Sequence, residues 1–449
     1  MTITPIMNTS RVRDLGWKPQ VGLNEIFQWT IELLVIEKMR TRKISFFTKA
    51  LRRRTPTQLF YEIIKLLLGY PLYLISFLCS RNKKKWAFGH KNGFVDNAKY
   101  LYLYAVKQKG IQAYWITQDK KLVQWMRDRN LPVYYQYSLN GIYHCLTSYL
   151  YIYTTSSDAI NFFTSGNSIL VNLWHGVGVK NFINTNAGIG DEKIFCKIFA
   201  PYVLKKPNYL LVPTYSQREY FKTLFSINEK QLIDDIYPRC AFLRQEKVEL
   251  ENHIRMYEPP ETATTLKNWR SFDLIYLYMP TWRAHLDSTY LTQAFPDMEQ
   301  LNETLRKVNA LLVIKQHPTI KNNKIDKEYS HVHFINNKCD IYPLLPFTDI
   351  LITDYSSIYS DYLLMDGKGV ILYPFDLKEY EKTDLSLMDY EKNMPGTRAY
   401  NFYELLELIE RKEISIIPER EEILSMYWGD YKHKSVATLF AKLINLSSW

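Results

Sequence analysis

From Trp86 onward, short apolar runs alternate with longer stretches whose apolar positions recur at helical spacing. The runs Trp86–Gly89, Gln112–Thr117, Pro132–Gln136, Tyr149–Thr155, Ile169–Trp174 and Tyr209–Pro213 read as strands, with helices such as Asn97–Lys109 and Lys120–Arg129 between them. Such alternation predicts βαβ units on a parallel sheet. A polar, helix-prone linker containing Pro259-Pro260 follows, from about Leu243 to Arg270. A second series then begins, with strands at Leu274–Met279, Ala310–Lys315, His331–Ile335, Asp349–Thr353 and Gly369–Tyr373. The closing segment, Glu421 to Asn445, has helical periodicity and is long enough to cross back onto the first domain. The pattern as a whole predicts an α/β protein of two Rossmann-like domains facing across a cleft.

Ahead of these domains lies a basic–apolar–basic sandwich: Arg52-Arg53-Arg54, then Leu59 to Cys79, then Arg81 and Lys83 to Lys85. The apolar stretch approaches the ~20 residues that span a bilayer. Glu62 and Lys65 sit in its first half, however, and Gly69 and Pro71 interrupt its middle. A helix lying in the membrane interface, its flanking cations on anionic headgroups, fits better than a clean span or a core helix. Residues 1–50 differ again. Thr9-Ser10-Arg11, Leu15-Gly16-Trp17-Lys18-Pro19, Leu23-Asn24-Glu25 and Trp29-Thr30 resemble the C-terminal tail of extended short-chain dehydrogenase/reductases that modify nucleotide sugars. The Gly-rich dinucleotide turn of such enzymes is absent, so no NAD chemistry is expected.

Length and composition narrow the class. A chain of 449 residues suits two domains and a modest extension. With 47% hydrophobic and 23% charged residues it reads as globular rather than disordered. The formal charge of +11, from 57 Lys and Arg against 46 Asp and Glu, favours polyanions without choosing among nucleic acid, anionic lipid and phosphate-rich substrate. Five scattered cysteines (Cys79, Cys145, Cys196, Cys240 and Cys339) form no C-x-x-C pair, which speaks for a reducing compartment and against structural zinc or a disulfide framework. Met1 to Ser10 shows no basic segment followed by an apolar one, so a cytoplasmic working face is expected.

Two histidines end apolar runs, one in each half of the chain. His175 follows Ile169–Trp174, and Gly176 and Gly178 let the backbone turn tightly beside it. An imidazole at the C-terminal end of a parallel strand is placed to act as a general base; a plain strand cap is the alternative. Lys180 adds a cation suited to phosphate. His317 sits in Lys315-Gln316-His317-Pro318, where period-two alternation puts Lys315 and His317 on one face as a diphosphate clamp, an exposed turn histidine being the alternative. An apolar strand from Asp349 runs into Asp354-Tyr355-Ser356-Ser357 and then a helix carrying Asp361. Ser356 and Ser357 at a helix start suit an anion, though simple N-capping uses the same residues. Arg283, in Met279-Pro280-Thr281-Trp282-Arg283, is a further candidate for phosphate contact, or a surface arginine at a strand end. His331-x-His333 lacks a third ligand and reads as strand; no metal site and no cofactor are expected.

Together these segments resemble the CDP-glycerol glycerophosphotransferase family, which includes teichoic acid primases and polymerases and related capsule polymerases. The pieces run in family order: Asp96-Asn97-Ala98-Lys99-Tyr100, Trp174-His175-Gly176 with Lys180, Tyr237-Pro238-Arg239, Met279 to Arg283, Lys315-x-His317-Pro318, Thr353 to Ser357 with Asp361, Tyr373-Pro374-Phe375-Asp376-Leu377 with Tyr380, and Pro395-Gly396. The resemblance implies a GT-B fold with an N-terminal membrane-associating helical extension, peripheral on the cytoplasmic face of the cell membrane. The pattern along the chain divides it into residues 1–50 as an appendage, 51–84 as the membrane-associating segment, and domains at 85–255 and 270–449, which the resemblance labels the acceptor and CDP-donor domains. The resemblance also implies transfer of a polyol phosphate from CDP-glycerol or CDP-ribitol to a polymer or lipid-linked hydroxyl, with release of CMP. His175 resembles the family's catalytic base and His317 is paired with it as catalytic; Ser356, Ser357 and Asp361 resemble the donor-binding set, with Lys315, Arg283 and Lys180 nearby. Departures include Val177-Gly178 where the family usually has Thr-Pro, Lys315 where it often has Arg, and Leu385-Ser386-Leu387-Met388 in place of an aromatic-rich run. A nucleotide-sugar glycosyltransferase of GT-B type and a non-catalytic membrane-surface module are the competing readings; no nucleic-acid motif is present.

Overall fold

The computed structural model describes residues 56–180, 200–283, 290–317, 327–383, 387–412, 414 and 416–448. The appendage at 1–50, the Arg52-Arg53-Arg54 cluster, Cys196 and Pro318 therefore lie outside the described residues. Contacts divide the chain into two units, residues 1–67 with 188–199 and residues 68–187 with 200–449. Both sheets and all the side chains of the site belong to the second.

Two parallel sheets account for the alternating pattern. Strands β1 (Asn82–Gly89), β2 (Gln112–Thr117), β3 (Val133–Tyr135), β4 (Ser148–Tyr153), β5 (Ile169–Asn172), β6 (Tyr209–Leu211) and β7 (Leu232–Ile233) lie in the order β3-β2-β1-β4-β5-β6-β7. Strands β8 (Leu274–Tyr278), β9 (Ala310–Ile314), β10 (Val332–Phe334), β11 (Ile350–Thr353), β12 (Gly369–Leu372) and β13 (Thr397–Arg398) lie in the order β10-β9-β8-β11-β12-β13. Every pairing is parallel, and each order reverses once, between β1 and β4 and between β8 and β11. Those reversals open crevices at the carboxyl ends of the strands, where doubly wound sheets bind ligands. β9, β11 and β12 are buried along their whole length, as strands covered on both faces must be.

The helices that matter here are α1 (Pro56–Ser76), α2 (Asp96–Ala105), α3 (Pro238–Phe242), α4 (Lys247–Tyr257), α5 (Pro260–Trp269), α6 (Ile358–Tyr362), α7 (Arg420–Trp428) and α8 (Val436–Ser448). α4 and α5 form the linker between the sheets. The expected closing helix is two helices, because Gly429 takes a φ of +61° and turns the chain between them. α8 does cross back to the first sheet: Phe440 packs on Trp86 at 5.1 Å between ring centres and on Tyr104 at 5.3 Å. Lys442 secures it with a hydrogen bond of 2.8 Å to the buried Asp235.

α1 runs unbroken through Pro71. Its face carrying Gly69, Tyr73 and Ser76 packs on the protein, with Tyr73 stacked on Phe162 at 4.8 Å and the Gly166 N–H donating to Ser76 Oγ at 2.9 Å. The opposite face leaves Leu68, Leu74 and Ile75 exposed, and Leu78, in the turn after the helix, is exposed by 87%. Among the described residues no helix is long and apolar enough to cross a membrane.

Candidate active site

His175 stands just beyond the end of β5, and the turn that delivers it is built from buried polar groups. Asn172, itself buried, accepts from the Trp174 N–H at 2.8 Å and donates to the Thr155 carbonyl at 3.3 Å. Trp174 takes a φ of +53°, a left-handed kink that redirects the strand. Its indole packs against the imidazole at 4.2 Å and is wedged edge-on against Phe225 at 4.9 Å. The Thr154 carbonyl, at the end of β4, faces the ring as a hydrogen-bond acceptor. A ring N–H donated to that carbonyl leaves the other nitrogen to accept a proton.

His175 is exposed, yet closely surrounded by protein. That enclosure, reinforced by Arg239 and His90 and opposed by Asp96, lowers its pKa to about 4. At neutral pH the imidazole is therefore uncharged and able to accept a proton.

A single guanidinium ties this loop to both sheets. Pro238 opens α3 at a position that needs no N–H, and the next residue, Arg239, is buried. Arg239 donates to Asp96 at 2.6 Å, to the His175 carbonyl at 2.9 Å and to Asp361 of α6 at 2.7 Å. Tyr342 also donates to Asp361, and Arg239 lies over its ring at 4.6 Å. Burial would raise the Asp96 carboxyl, but Arg239 and the neighbouring histidines hold it below the usual range. At Asp361 burial prevails over Arg239 and the pKa is raised. Asn97 completes the clamp, donating to the Trp174 carbonyl at 2.8 Å and accepting from the Arg239 N–H at 3.2 Å.

The loop after His175 lies against the second sheet with no space to spare. A Cβ added at Gly176 would fall 2.7 Å from Ser357 Oγ, and one at Gly178 would fall 3.3 Å from Ser357 Cβ. Ser360 donates to the Val177 carbonyl at 3.1 Å, the Met388 N–H to the Val179 carbonyl at 2.7 Å, and Lys180 pairs antiparallel with Leu387. The Val177-Gly178 departure is thus fitted to Ser357, and Leu387-Met388 is the segment that grips the loop.

The expected site residues divide by placement. Of these, Ser357 lies against the loop that follows His175, and Lys180 of that loop faces His317. His317 is exposed, yet its surroundings, with Lys315 and Lys180 adding repulsion, lower its pKa to about 4. Lys180, from the His175 loop, is thus near enough to act on His317 of the other sheet.

Three residues depart from expectation. Arg283 is buried between Asp354 and Asp376, donating to Asp376 at 2.9 and 2.7 Å, so it braces the loop after β11 instead of meeting phosphate. Asp361 is wholly buried beneath the loop on Arg239 and Tyr342, away from any ligand surface. Lys315 and His317 do not share an exposed face: β9 ends at Ile314, and the buried Lys315 donates to the Asn337 carbonyl at 2.8 Å. α6 spans five residues, Ile358–Tyr362, with Ser357 at its N-cap making no side-chain cap bond.

Sequence reasoning passed over His90, which lies 3.7 Å from Asp96 at the end of β1, and gave no role to Asp96, Arg239 or Lys99 although their motifs stood out. Lys99 is fully buried, ion-paired with Glu258 of the linker and, at 2.8 Å, with Asp340 of the second sheet's loops. Tyr100 donates to the same Asp340 at 2.9 Å. Among the described residues no group of three or more His, Cys, Asp or Glu is placed to hold a metal ion.

Residues 72–429 match the family described as CDP-Glycerol:Poly(glycerophosphate) glycerophosphotransferase. The teichoic acid glycerol-phosphate transferase of Staphylococcus aureus (strain NCTC 8325 / PS 47) is 24% identical over 365 residues, 78% of this chain and 89% of that protein. The teichoic acid ribitol-phosphate polymerase TarL of the same strain is 26% identical over 236 residues, 49% of this chain. The teichoic acid glycerol-phosphate primase of Bacillus subtilis (strain 168) is 27% identical over 249 residues, 54% of this chain. These matches span only 39% of TarL and 59% of the primase. The structure of the wall teichoic acid polymerase TagF superposes with a TM-score of 0.65 at 18% identity, covering 90% of this chain and 98% of that one. The fold is that of TagF, a GT-B arrangement of two parallel-sheet domains.

If Arg239 is the clamp, Arg239→Met should cost about 3–5 kcal/mol in denaturant unfolding, because two buried carboxylates lose their partner. Asp361→Asn, which keeps an acceptor for both Arg239 and Tyr342, should cost clearly less. Equal losses in the two variants would contradict the assignment.

Proposed function

Because the chain belongs to the CDP-glycerol:poly(glycerophosphate) glycerophosphotransferase family, we propose that it transfers a polyol phosphate, in the first instance glycerol phosphate, from a CDP-activated donor. The acceptor is a hydroxyl of a cell-surface glycopolymer or its lipid-linked precursor. The observation that carries this reading is the neutral His175 imidazole, oriented by Thr154 and held by Arg239 against the loop that carries Ser356 and Ser357.

In the proposed step the open nitrogen of His175 takes the acceptor's hydroxyl proton. The oxygen attacks the β-phosphorus of the donor, a new P–O bond forms, and the bond to the bridging oxygen breaks. CMP leaves with that electron pair. The second-sheet domain, residues 270–449, holds the donor, with Ser356, Ser357 and His317 beside the diphosphate and Lys180 reaching it from the first. The domain at 85–255 presents the acceptor. Arg283, Asp361 and Lys315 position these groups from beneath. Catalysis of this kind rests on positioning and on charge stabilisation at the leaving phosphate.

The apolar stripe of α1 supports peripheral attachment to an anionic membrane surface, where a lipid-linked acceptor would be met. The helix buries its Gly69 and Ser76 face and leaves Leu74 and Ile75 outward, with Leu78 exposed in the turn that follows, the pattern of a helix that lies in an interface.

His175→Ala should reduce CMP release from CDP-glycerol or CDP-ribitol by at least about a hundredfold with the unfolding transition unchanged; His433→Ala, at an exposed and remote site, is the control. Activity within a few-fold of the parent would overturn the assignment. The pH profile follows from the same imidazole. A base must be deprotonated, so activity is lost as pH falls through its pKa, which in the free protein is about 4 rather than 6.5. The acidic limb of kcat/KM should therefore lie well below pH 6, and that of kcat higher, because bound diphosphate favours the protonated ring. A kcat/KM limb at or above 6.5 would contradict this. Leu74→Glu with Leu78→Glu should weaken co-sedimentation with phosphatidylglycerol vesicles and spare turnover on a soluble acceptor; unchanged sedimentation would exclude the α1 stripe as the attachment face.

A further inference from the structure

On the opposite edge of the second sheet from the site, where β8, β11 and β12 begin, lies a cavity of about 820 Å³. Both connections between the sheets line it: the outgoing linker from Leu243 through α4 and α5 to Phe272, and the returning turn at Tyr431 and Lys432. Arg244, Lys247, Arg270, Lys368, Arg420 and Lys432 contribute six cations to its wall, against two carboxylates, Asp349 and Asp366. Its floor is apolar, including Leu250, Leu266, Trp269 and Phe347.

The charges are not all answered. Arg270 pairs with Glu251, Arg420 with Asp366 and Glu421, and Lys432 with Glu421. Lys368 is held at 3.8 Å from Asp349. Arg244, by contrast, donates only to carbonyls, those of Tyr431 at 2.8 Å and Lys434 at 3.5 Å. Among the described residues no carboxylate lies within 4.0 Å of Arg244 or Lys247. Burial, joined by the charge of Lys247 and opposed by Asp349, lowers the Lys368 pKa. Trp269 lines the cavity at 2% exposure, its indole N–H without an acceptor but itself closed off from solvent. An unanswered buried donor is costly and rare in a native fold.

Two cations without counter-charge beside an apolar floor in one cavity ask for a ligand that has oxygen-borne negative charge on an apolar body. We propose that this cavity binds an amphipathic organic phosphate, its head between Arg244 and Lys247 and its body on the floor formed by Leu250, Leu266 and Phe347. Because residues from both connections form the walls, an occupant contacts the two segments that set the spacing of the sheets.

The proposal is independent of the transfer reaction, and CMP release plays no part in its test. Isothermal titration of the full chain would use octyl phosphate below its micelle concentration, with octanol, inorganic phosphate and adenosine monophosphate as comparisons. Octyl phosphate should bind more tightly than octanol or inorganic phosphate. Lys247→Glu, which reverses an exposed charge without removing a contact, should weaken it at least about tenfold, and Arg244→Ala should do likewise. Tighter binding of adenosine monophosphate, with the same two sensitivities, would identify the apolar body as a nucleoside instead of a hydrocarbon chain. Affinity unchanged in both variants, or octanol binding as tightly as octyl phosphate, would overturn the proposal.

Discussion

One guanidinium holds the reactive edges of the two sheets together. Arg239 reaches α2 through Asp96, the His175 loop through its carbonyl, and α6 through Asp361. Each partner comes from a different part of the chain, and at that depth only Arg239 answers both carboxylate charges at once, Tyr342 and His90 adding one contact to each. A buried ion pair of this kind adds little to net stability over a well-packed apolar substitute. What it confers is register: a guanidinium fork accepts few geometries, so the loop bearing His175 sits over Ser357 at one distance and one angle. Lys99, with Glu258 and Asp340, repeats the device deeper in, linking α2 to the linker and to the second sheet's loops.

The contact that follows is close enough to exclude side chains. Gly176 and Gly178 let the loop lie on Ser357, and backbone pairing at Lys180 with Leu387 fastens its far end. The imidazole is therefore positioned by groups on both sheets while its own nitrogen stays open. Enclosure keeps it neutral, and enclosure joined by the cations Lys315 and Lys180 does the same for His317.

The alternation of apolar runs and helical stretches made both sheets legible, because buried parallel strands leave continuous apolar segments such as Ala310–Ile314 and Ile350–Thr353. His175 and His317 stood out for the same reason, each following such a run. What could not be read was the partner of each charge. Period-two alternation places Lys315 and His317 on one face only while the strand lasts, and it ends at Ile314. Arg283 and Asp361 carry the right chemistry for a donor site, yet Asp354, Asp376 and Arg239, distant in sequence, claim them. His90 carried no signal at all, since only the left-handed turn at Asp96 brings a carboxylate to it. Residues that join two domains look in one dimension like residues that bind a ligand.

The most direct test is a crystal structure of the His175→Ala protein with CDP-glycerol bound. The account predicts the diphosphate at the seam between the sheets, beside Ser356, Ser357 and His317. Its β-phosphorus should lie within about 6 Å of the space the imidazole vacates, room for one attacking oxygen between them. A donor bound elsewhere, or with its β-phosphorus turned away from residue 175, would contradict it.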